Sequence, residues 1–309
     1  MRGPGVLVAG LLAVAAGAAC AQEPELPLSL EGLTPAEVDA RLSFLEERLD
    51  AGRATARAWQ YGWTGVFAVG AVLGAAMALA VARAGHDVAL HCHRSIDEAE
   101  ALAATIRQLG RRAVVVGADL AREREAAGVV PAAEAAVGPL EVLVNNASAF
   151  ELDHLATADR GSWDRHLETN LRAPIVLAQG FVRQLPPARR GLIVNLLDQR
   201  VMNLTPNYLS YSISKVGLWA ATQVLARELA PRVRVNAIGP GPALPSPGLD
   251  PQRFAELCRA TPLQRGTSPE EIAAALRFIM ESPSMTGQMI VLDGGQQLGW
   301  LTPRAPEVD

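Results

Sequence analysis

From about residue 83 onward, short β-branched runs alternate with stretches of helical periodicity, and this alternation constrains the fold more than any other feature. The runs predict strands at 87–91, 113–117, 140–145, 191–197, 232–238 and 288–292. Helical patterns lie between them, at about 96–109, 121–137, 161–184, 208–230 and 268–282. Strands that alternate with helices indicate βαβ units. We therefore predict an α/β fold with a doubly wound, Rossmann-like parallel sheet.

The composition excludes several classes of protein. Of the 309 residues, 50% are hydrophobic and 19% are charged, which suits a buried α/β core and excludes a disordered chain. A net charge of −4 provides no basic field, so no nucleic-acid partner is expected. Cys20, Cys92 and Cys258 show no paired spacing, which predicts neither a disulfide framework nor a zinc site. His91 and His93 share a strand face but have no third ligand nearby, so no metal is expected.

The N-terminal region differs from the rest of the chain and is predicted to be a helical and apolar extension. Residues 1–21 have the pattern of a secretory signal, with Arg2, an apolar run over 6–16 and small residues at 19–21. An uncleaved apolar N-terminus is the alternative. Residues 22–60 are predicted to form a linker and an amphipathic helix that begins with a capping box at Thr34. The α/β domain is then predicted over 61–300, with a tail at 301–309.

The stretch 61–82 contains no charged residue and allows two interpretations. As a helix it would be about 33 Å long, enough to cross a bilayer. The N-terminus would then lie outside and the following domain in the cytoplasm. Alternatively, the stretch forms a first strand at about 62–68 followed by the first helix of the domain. A fused or mis-started N-terminus would explain why the pattern changes near residues 68–74.

The only lysine of the chain lies one helical turn after a tyrosine. Lysine and arginine total 28, and Lys215 is the single lysine among them. Tyr211 and Lys215 are four residues apart in a predicted helix and therefore share a face. An ammonium beside a phenol lowers the pKa of the phenol, which makes Tyr211 a candidate proton donor. Asp198 ends a predicted strand thirteen residues before Tyr211.

Over about residues 65–297 the chain resembles the short-chain dehydrogenase/reductase family. The motifs that carry the resemblance are NNAS at 145–148, Asn170, YSISK at 211–215, the PG turn of VNAIGPGP at 235–242 and MTGQMIVLDGG at 285–295. The resemblance implies that Tyr211 donates a proton and that Lys215 binds the nicotinamide ribose. It implies that Asn170 holds a water in a proton relay. Cofactor contacts are implied for Asn146, Ala147, Pro240 and Gly241, as for Asp119 and the adjacent Leu120 near the adenine.

Three features resemble the pteridine reductase and dihydromonapterin reductase subgroup: Asp198 where most members carry serine, the segment 91–95 that ends the second strand, and the segment 146–150 that ends the fourth. The resemblance implies NADPH, with its 2′-phosphate held by His93, Arg94 and Ser95. A guanidinium fork and a hydroxyl suit a phosphate. Phe150 is expected to stack on a pterin-type ring, Ser148 to shape the pocket, and Asp198 to take part in protonation during hydride transfer to a C=N bond.

Several alternatives stay open at this point. Tyr208 lies seven residues before Lys215, the spacing of enoyl reductases in the same family. A general carbonyl reductase is the second possible activity. The cofactor loop is degenerate, because only Gly74, with Gly70 nearby, matches the glycine-rich turn that should hold the pyrophosphate. A membrane-attached scaffold that no longer binds cofactor is therefore a third interpretation. A homo-oligomer, a dimer or tetramer, is expected from the family.

Overall fold

A computed structural model describes residues 5–9, 68–245 and 249–299. Seven strands form one sheet in which every pairing is parallel. They are β1 (Gly5–Ala9), β2 (Val88–Cys92), β3 (Ala113–Gly117), β4 (Leu140–Asn145), β5 (Gly191–Leu196), β6 (Val233–Pro240) and β7 (Met289–Leu292). Their order is β3-β2-β1-β4-β5-β6-β7, so the direction of winding reverses between β1 and β4. The predicted doubly wound fold is confirmed.

Helices connect the strands. They are α1 (Ala68–Arg83), α2 (Ile96–Gln108), α3 (Glu123–Val137), α4 (Arg160–Leu167), α5 (Ala173–Gln184), α6 (Leu209–Glu228), α7 (Pro251–Arg259) and α8 (Pro269–Glu281). A π-helical turn, Glu168–Arg172, joins α4 to α5, so the single helix predicted over 161–184 is interrupted. The helix α7 was not predicted. Consecutive residues of β2, β5 and most of β4 and β6 are buried, as expected of strands covered on both faces.

The first strand of the sheet is β1, at a place in the chain where the sequence predicted a signal and not a strand. Residues 62–67 lie outside the described residues, and Ala68 begins α1. The strand β1 pairs with β2 on one side and β4 on the other, with Leu7 opposite both Ala89 and Leu143. A doubly wound sheet needs a strand at this position. A five-residue apolar run at the N-terminus looks the same to a periodicity argument whether it belongs to a signal or to a buried strand.

The predicted signal over 1–21 conflicts with this sheet. Cleavage after residue 21 would remove a strand that is hydrogen-bonded on both sides. The rest of that segment, the predicted linker and helix of 22–60, and the tail at 301–309 lie outside the described residues. By contacts the chain divides into one unit made of Met1–Ala18 and Val66–Asp309 and a second made of Ala19–Gly65, and the α/β domain belongs to the first.

The helix α1 belongs to the core of the α/β domain. Met77, Ala78 and Val81 are completely buried, and α1 packs against α8. In this structure the described part of the stretch 61–82 is therefore a helix of the α/β domain, as in the second interpretation of the sequence. Among the residues that the structure describes, no helix combines the length and apolarity needed to cross a membrane.

Candidate active site

The residues predicted to carry chemistry collect at one edge of the sheet. Asn146–Phe150 follow β4, Asp198 follows β5 and Gly241 follows β6. On the other side of the switch point, His93–Ser95 follow β2 and Asp119 follows β3. Because all strands are parallel, their carboxyl ends meet at this edge, which is where doubly wound proteins bind ligands.

Tyr211 and Asp198 are in direct contact. The Tyr211 hydroxyl donates to Oδ2 of Asp198 at 2.8 Å. Two further bonds fix the carboxylate, because Arg200 donates to it from Nη1 at 2.9 Å and from its main-chain N–H at 2.8 Å. Tyr211 is only 5% exposed. The thirteen-residue offset therefore brings a phenol and a carboxylate together, as the sequence predicted.

The electrostatics of Tyr211 differ from the expectation. Burial raises the pKa of Tyr211 well above its usual value, and the neighbouring carboxylate of Asp198 raises it further. Arg200 and the Ser148 side chain lower it, yet they do not offset burial. The pKa of the phenol therefore lies above its usual value, whereas the sequence predicted a pKa below it. The cation that acts on the phenol most strongly is Arg200.

Lys215 lies beneath Tyr211 in the interior. Its Nζ donates to the carbonyl of Leu196 at 2.8 Å and lies 5.8 Å from the centroid of the Tyr211 ring. The side chain is 2% exposed, and burial lowers its pKa to about 8, partly opposed by Asp198. An ammonium with one protein acceptor has donors left for hydroxyl groups. This geometry suits the ribose-binding role implied for Lys215.

Asn170 joins three elements of the site. It is completely buried in the π-helical turn. Its amide exchanges two hydrogen bonds with the main chain of Ala149, at 2.7 and 2.9 Å, and Nδ2 also donates to Ser214 of α6 at 3.0 Å. π-turns inside helices recur at functional sites. Gly217 permits the close approach of α6 to this turn, since a Cβ there would lie 2.9 Å from Leu171.

Three aromatic rings and one guanidinium form the mouth of the site. Phe150 stacks on Tyr208, with ring centroids 4.5 Å apart and planes 10° apart. It also meets Tyr211 edge-on at 4.7 Å. The Arg200 guanidinium carbon lies 5.6 Å from the centroid of Phe150 and 5.2 Å from that of Tyr208. Phe150 is therefore beside the candidate proton donor, with Tyr208 on one of its faces.

A buried polar network holds the loop after β4 against the start of α6. Asp153 accepts a hydrogen bond from the Ser210 hydroxyl at 2.5 Å and one from Ser162 at 3.1 Å. Nδ1 of His166 lies 2.7 Å from the Ser210 hydroxyl, and its Nε2 accepts from the main-chain N–H of Glu151 at 3.0 Å. Burial lowers the pKa of His166. The histidine is neutral in this network, which positions the loop that carries Phe150.

The residues predicted for the 2′-phosphate and adenine lie together after β2 and β3. His93 Nε2 is 3.8 Å from a carboxylate oxygen of Asp119, and Leu120 is buried beside it. Ser95 is the N-cap of α2 but makes no capping hydrogen bond with its side chain. Arg94 is exposed and forms no ion pair among the residues described. An exposed guanidinium beside an uncommitted hydroxyl fits a phosphate group.

The remaining predicted cofactor contacts follow β4 and β6 or lie in α1. Asn146 is buried after β4, with Ala147 next to it. Pro240 ends β6, and a Cβ on Gly241 would lie 2.6 Å from Cα of Asp293, so packing against the residue after β7 already requires glycine there. Gly70 and Gly74 lie within α1, so they do not form the glycine-rich turn that was predicted for them. The 58 residues between β1 and α1, 10–67, lie outside the described residues.

Sequence reasoning missed Arg200, Asp153, His166 and Ser210. Arg200 lies only two residues after Asp198, and an acidic and a basic residue at that spacing just after a strand were the available signal. Asp153 and Ser210 are 57 residues apart, and nothing in the sequence connects them.

A family model described as enoyl-(acyl carrier protein) reductase matches residues 69–297. The 3-oxoacyl-(acyl-carrier-protein) reductase FabG of Aggregatibacter actinomycetemcomitans is 33% identical over 235 residues, which span 72% of this chain and 94% of that relative. The chain belongs to the short-chain dehydrogenase/reductase family. Members of this family are oxidoreductases, and this chain is one of them.

Two solved structures of the family are also similar. FolM alternative dihydrofolate reductase 1 from Brucella suis, in complex with NADP, is 46% identical, covers 75% of this chain and 93% of its own, and superposes with a TM-score of 0.72. A short-chain dehydrogenase from Burkholderia cenocepacia, in complex with NADP, is 32% identical, covers 72% of this chain and 92% of its own, and has a TM-score of 0.67.

Proposed function

We propose that the protein is an NADPH-dependent reductase of a pterin-type substrate, of the dihydropteridine or dihydrofolate class. The observation that carries the proposal is the carboxylate of Asp198, bonded to the Tyr211 hydroxyl at 2.8 Å with the Phe150 ring 4.7 Å from Tyr211. Reduction of a C=N bond requires a proton on nitrogen, and an acid–carboxylate pair beside an aromatic ring suits that reaction. The 46% identity to a dihydrofolate reductase of the family supports the same class.

NADP(H) fits the residues on the other side of the switch point. Arg94 and Ser95 would hold the 2′-phosphate, and no acidic residue occupies 93–95, where an NAD enzyme would bind a free ribose hydroxyl. Asp119 would contact the adenine and Lys215 the nicotinamide ribose. The bound cofactor supplies the hydride. Two related structures contain NADP, which supports this choice.

The protein's own residues handle the proton and the orientation of the substrate. Tyr211 holds the proton on its hydroxyl, next to the reacting edge of the substrate. Asp198 fixes that hydroxyl by accepting its hydrogen bond. Phe150 provides an apolar wall for a flat ring, and Asn170 keeps the loop that carries Phe150 tied to the π-helical turn. Each group is held by at least one buried contact, so the site is preorganised.

The test is NADPH oxidation by the full chain with dihydrobiopterin, dihydromonapterin and dihydrofolate, and with a 3-oxoacyl thioester as the carbonyl substrate. We expect turnover of at least one pterin-type compound and weak reduction of the thioester. The second candidate function is a 3-oxoacyl or general carbonyl reductase, which the similarity to FabG favours. Fast thioester reduction without pterin turnover would establish that candidate in place of the first. Absence of NADPH binding would favour a scaffold role.

Two variants examine the residue roles within this proposal. Tyr211→Phe removes the proton and should lower kcat by about a hundredfold or more. Asp198→Ser restores the residue usual in the family and should lower pterin turnover while raising the ratio of carbonyl to pterin reduction. Thermal unfolding of both variants measures folding separately. Equal kcat in the wild type and Tyr211→Phe would remove Tyr211 from the reaction.

We also propose that the reductase domain works in the cytoplasm, where NADPH is available. The position of β1 in the sheet supports a retained N-terminus. The test is fractionation of cells together with the intact mass of the native protein.

A further inference from the structure

Among the residues that the structure describes, Arg200 is the charged group that forms an ion pair with Asp198. It lies in the short helix Gln199–Val201, and its guanidinium folds back to the carboxylate. Oδ2 of Asp198 accepts from Nη1 of Arg200 at 2.9 Å and from the Tyr211 hydroxyl at 2.8 Å. A single carboxylate oxygen therefore connects the candidate proton donor to a fixed positive charge.

This arrangement solves an electrostatic problem that Asp198 creates. When Tyr211 gives up its proton, a phenolate forms in contact with the Asp198 carboxylate. Two like charges at this distance in a buried site repel strongly and oppose proton donation. A serine at position 198, as in most of the family, would create no such repulsion. With Arg200 in place, the pair at 198 and 200 is neutral overall.

The other groups that face Tyr211 make no hydrogen bond to the Asp198 carboxylate among the residues described. From α6, Lys215 acts on Asp198 only through space, because its Nζ donates to the Leu196 carbonyl and lies 5.8 Å from the centroid of the Tyr211 ring. From α4, the His166 ring is 6.0 Å from the Tyr211 ring and is neutral in its own network. Tyr208 contacts Tyr211 edge-on and carries no charge.

The burial of Arg200 is costly, which argues against a purely structural role. Its side chain is 24% exposed, and its Nε is buried without a hydrogen-bond partner among the residues that the structure describes. An unpaired buried donor costs about 1–3 kcal/mol. The guanidinium lies over the rings of Phe150 and Tyr208. This fixes its plane in a way that lysine does not reproduce.

We propose that Arg200 is a positioning residue that neutralises Asp198 and so allows Tyr211 to deliver its proton. The Asp198–Arg200 pair replaces the neutral serine of the family as the partner of the tyrosine. The proposal rests on the reductase activity, and not on a pterin as the substrate.

A double-mutant cycle tests the proposal. The wild type, Arg200→Met, Asp198→Ser and the double variant are assayed with whichever substrate the wild type reduces. Arg200→Met should lower kcat about tenfold or more at neutral pH with a smaller change in KM. In the Asp198→Ser background, the same Arg200 substitution should change kcat by less than about threefold. Equal losses in both backgrounds would overturn the proposal.

A measurement on the tyrosine itself separates this proposal from the choice of substrate. The chain has three tyrosines, so ¹³Cζ-tyrosine labelling gives three signals, and Tyr211→Phe assigns one. Arg200→Met should move the Tyr211 signal in the Asp198 protein and leave it unchanged in the Asp198→Ser protein. An unmoved Tyr211 signal in a folded Arg200→Met protein contradicts the proposal. Failure of every substrate with the expected signal change would instead remove only the proposed function.

Two more variants serve as controls. Arg200→Lys keeps the charge but not the planar fork, and it should recover part of the kcat lost in Arg200→Met. If Arg200→Met does not fold, Arg200→Lys takes its place in the cycle. An unmoved Tyr211 signal together with equal kcat losses in the Asp198 and Asp198→Ser backgrounds would then contradict the proposal. Arg160→Met removes an exposed arginine paired with Asp164, and it should behave as the wild type.

Discussion

Lys215 is a buried charge that lowers the folding stability of the protein. The side chain is 2% exposed, and its ammonium has a single hydrogen-bond acceptor among the described residues, the carbonyl of Leu196. The chain uses arginine elsewhere, and a wide planar guanidinium would not fit in this space without displacing α6 or β5. The lone lysine of the sequence is therefore a compact charge kept where burial is costly.

We predict that Lys215→Met abolishes activity while making the protein more stable at pH 7. The folded-state pKa of Lys215 is about 8, below its usual 10.5. Between the two pKa values the unfolded chain holds the Lys215 proton that the folded chain has released. The loss of folding stability caused by burying the ammonium is therefore complete below pH 8, and it disappears as the pH rises through 10.5. Allowing for the lost bond to Leu196, the gain should be about 1–3 kcal/mol.

Urea unfolding of the wild type and Lys215→Met at pH 7 and pH 10 measures this difference. The stability gap should narrow between the two pH values. A variant that is less stable at pH 7, or a gap that widens with pH, contradicts the prediction.

At the residue scale, the sequence predicted contacts that follow from fixed spacing. Tyr211 and Lys215 share a helix face, and Asp198 lies at the end of the neighbouring strand, so their approach follows from the fold. Arg200 and Asp153 were missed because their partners depend on how loops turn back, which periodicity does not encode. Their roles follow from contacts that only the three-dimensional structure shows.

Among the elements, the start of α6 depends on a residue from another loop. The main-chain carbonyl of Asp153 accepts from the N–H groups of Tyr208 and Leu209, at 3.0 and 3.2 Å. The side-chain carboxylate of Asp153 accepts from the main-chain N–H of Ser210 at 3.1 Å. Tyr208 itself has a left-handed backbone, with φ 62° and ψ 53°, and its side chain does not cap the helix. Asp153 thus serves as the cap of the helix that carries Tyr211 and Lys215.

We predict that Asp153→Ala destabilises the protein by about 1–3 kcal/mol and lowers kcat in addition. Both effects arise because the first turn of α6 and the loop that carries Phe150 lose their common anchor. The matched control is Ser268→Ala, which removes the capping box of α8 and should cost about 1 kcal/mol without changing kcat. Equal kcat in the two variants would show that the cap does not position Tyr211.

The strand β1 is the element of the sheet that the sequence did not predict. The other six strands were predicted to within about two residues, because each is a short apolar run bounded by turn residues and followed by a helix of the expected length. After β1 the next helix that the structure describes begins at Ala68, with 58 residues between them, so no βα unit is visible there as a local pattern. Its apolar run, continued by alanines, has the composition of a signal.

We predict that Leu7→Pro prevents folding, because proline removes a main-chain donor from a strand paired on both sides. Leu7→Val keeps the donor and should fold. Circular dichroism and soluble yield measure the difference, and the intact mass of the folded wild type should include residues 5–9. A folded, active Leu7→Pro protein, or a native chain that begins after residue 21, would contradict the position of β1.

For the whole molecule, the doubly wound sheet leaves one apolar surface on α6 uncovered. Ile213, Val216, Ala220 and Val224 follow spacings of three, four and four residues, and all four are exposed, Val224 by 61%. The opposite face of α6 holds Tyr211 and Lys215 in the interior. A helix that is apolar on both faces is typical of one buried in a larger assembly. This surface supports the homo-oligomer expected from the sequence.

We predict that the wild type is a dimer or tetramer in solution and that Val224→Arg lowers its mass. A charge in a self-complementary interface is opposed by its own copy across the symmetry axis, so one substitution acts twice or more. Light scattering coupled to size exclusion measures the mass, and circular dichroism checks that the domain stays folded. The control is Leu109→Arg, a charge placed on an exposed leucine at the end of α2, which should leave the mass unchanged. Because α6 also carries Tyr211, an interface there would stiffen the helix that holds the proton donor. The monomeric variant should therefore have a lower kcat as well as a lower mass. A monomeric wild type with full activity would show that α6 needs no partner.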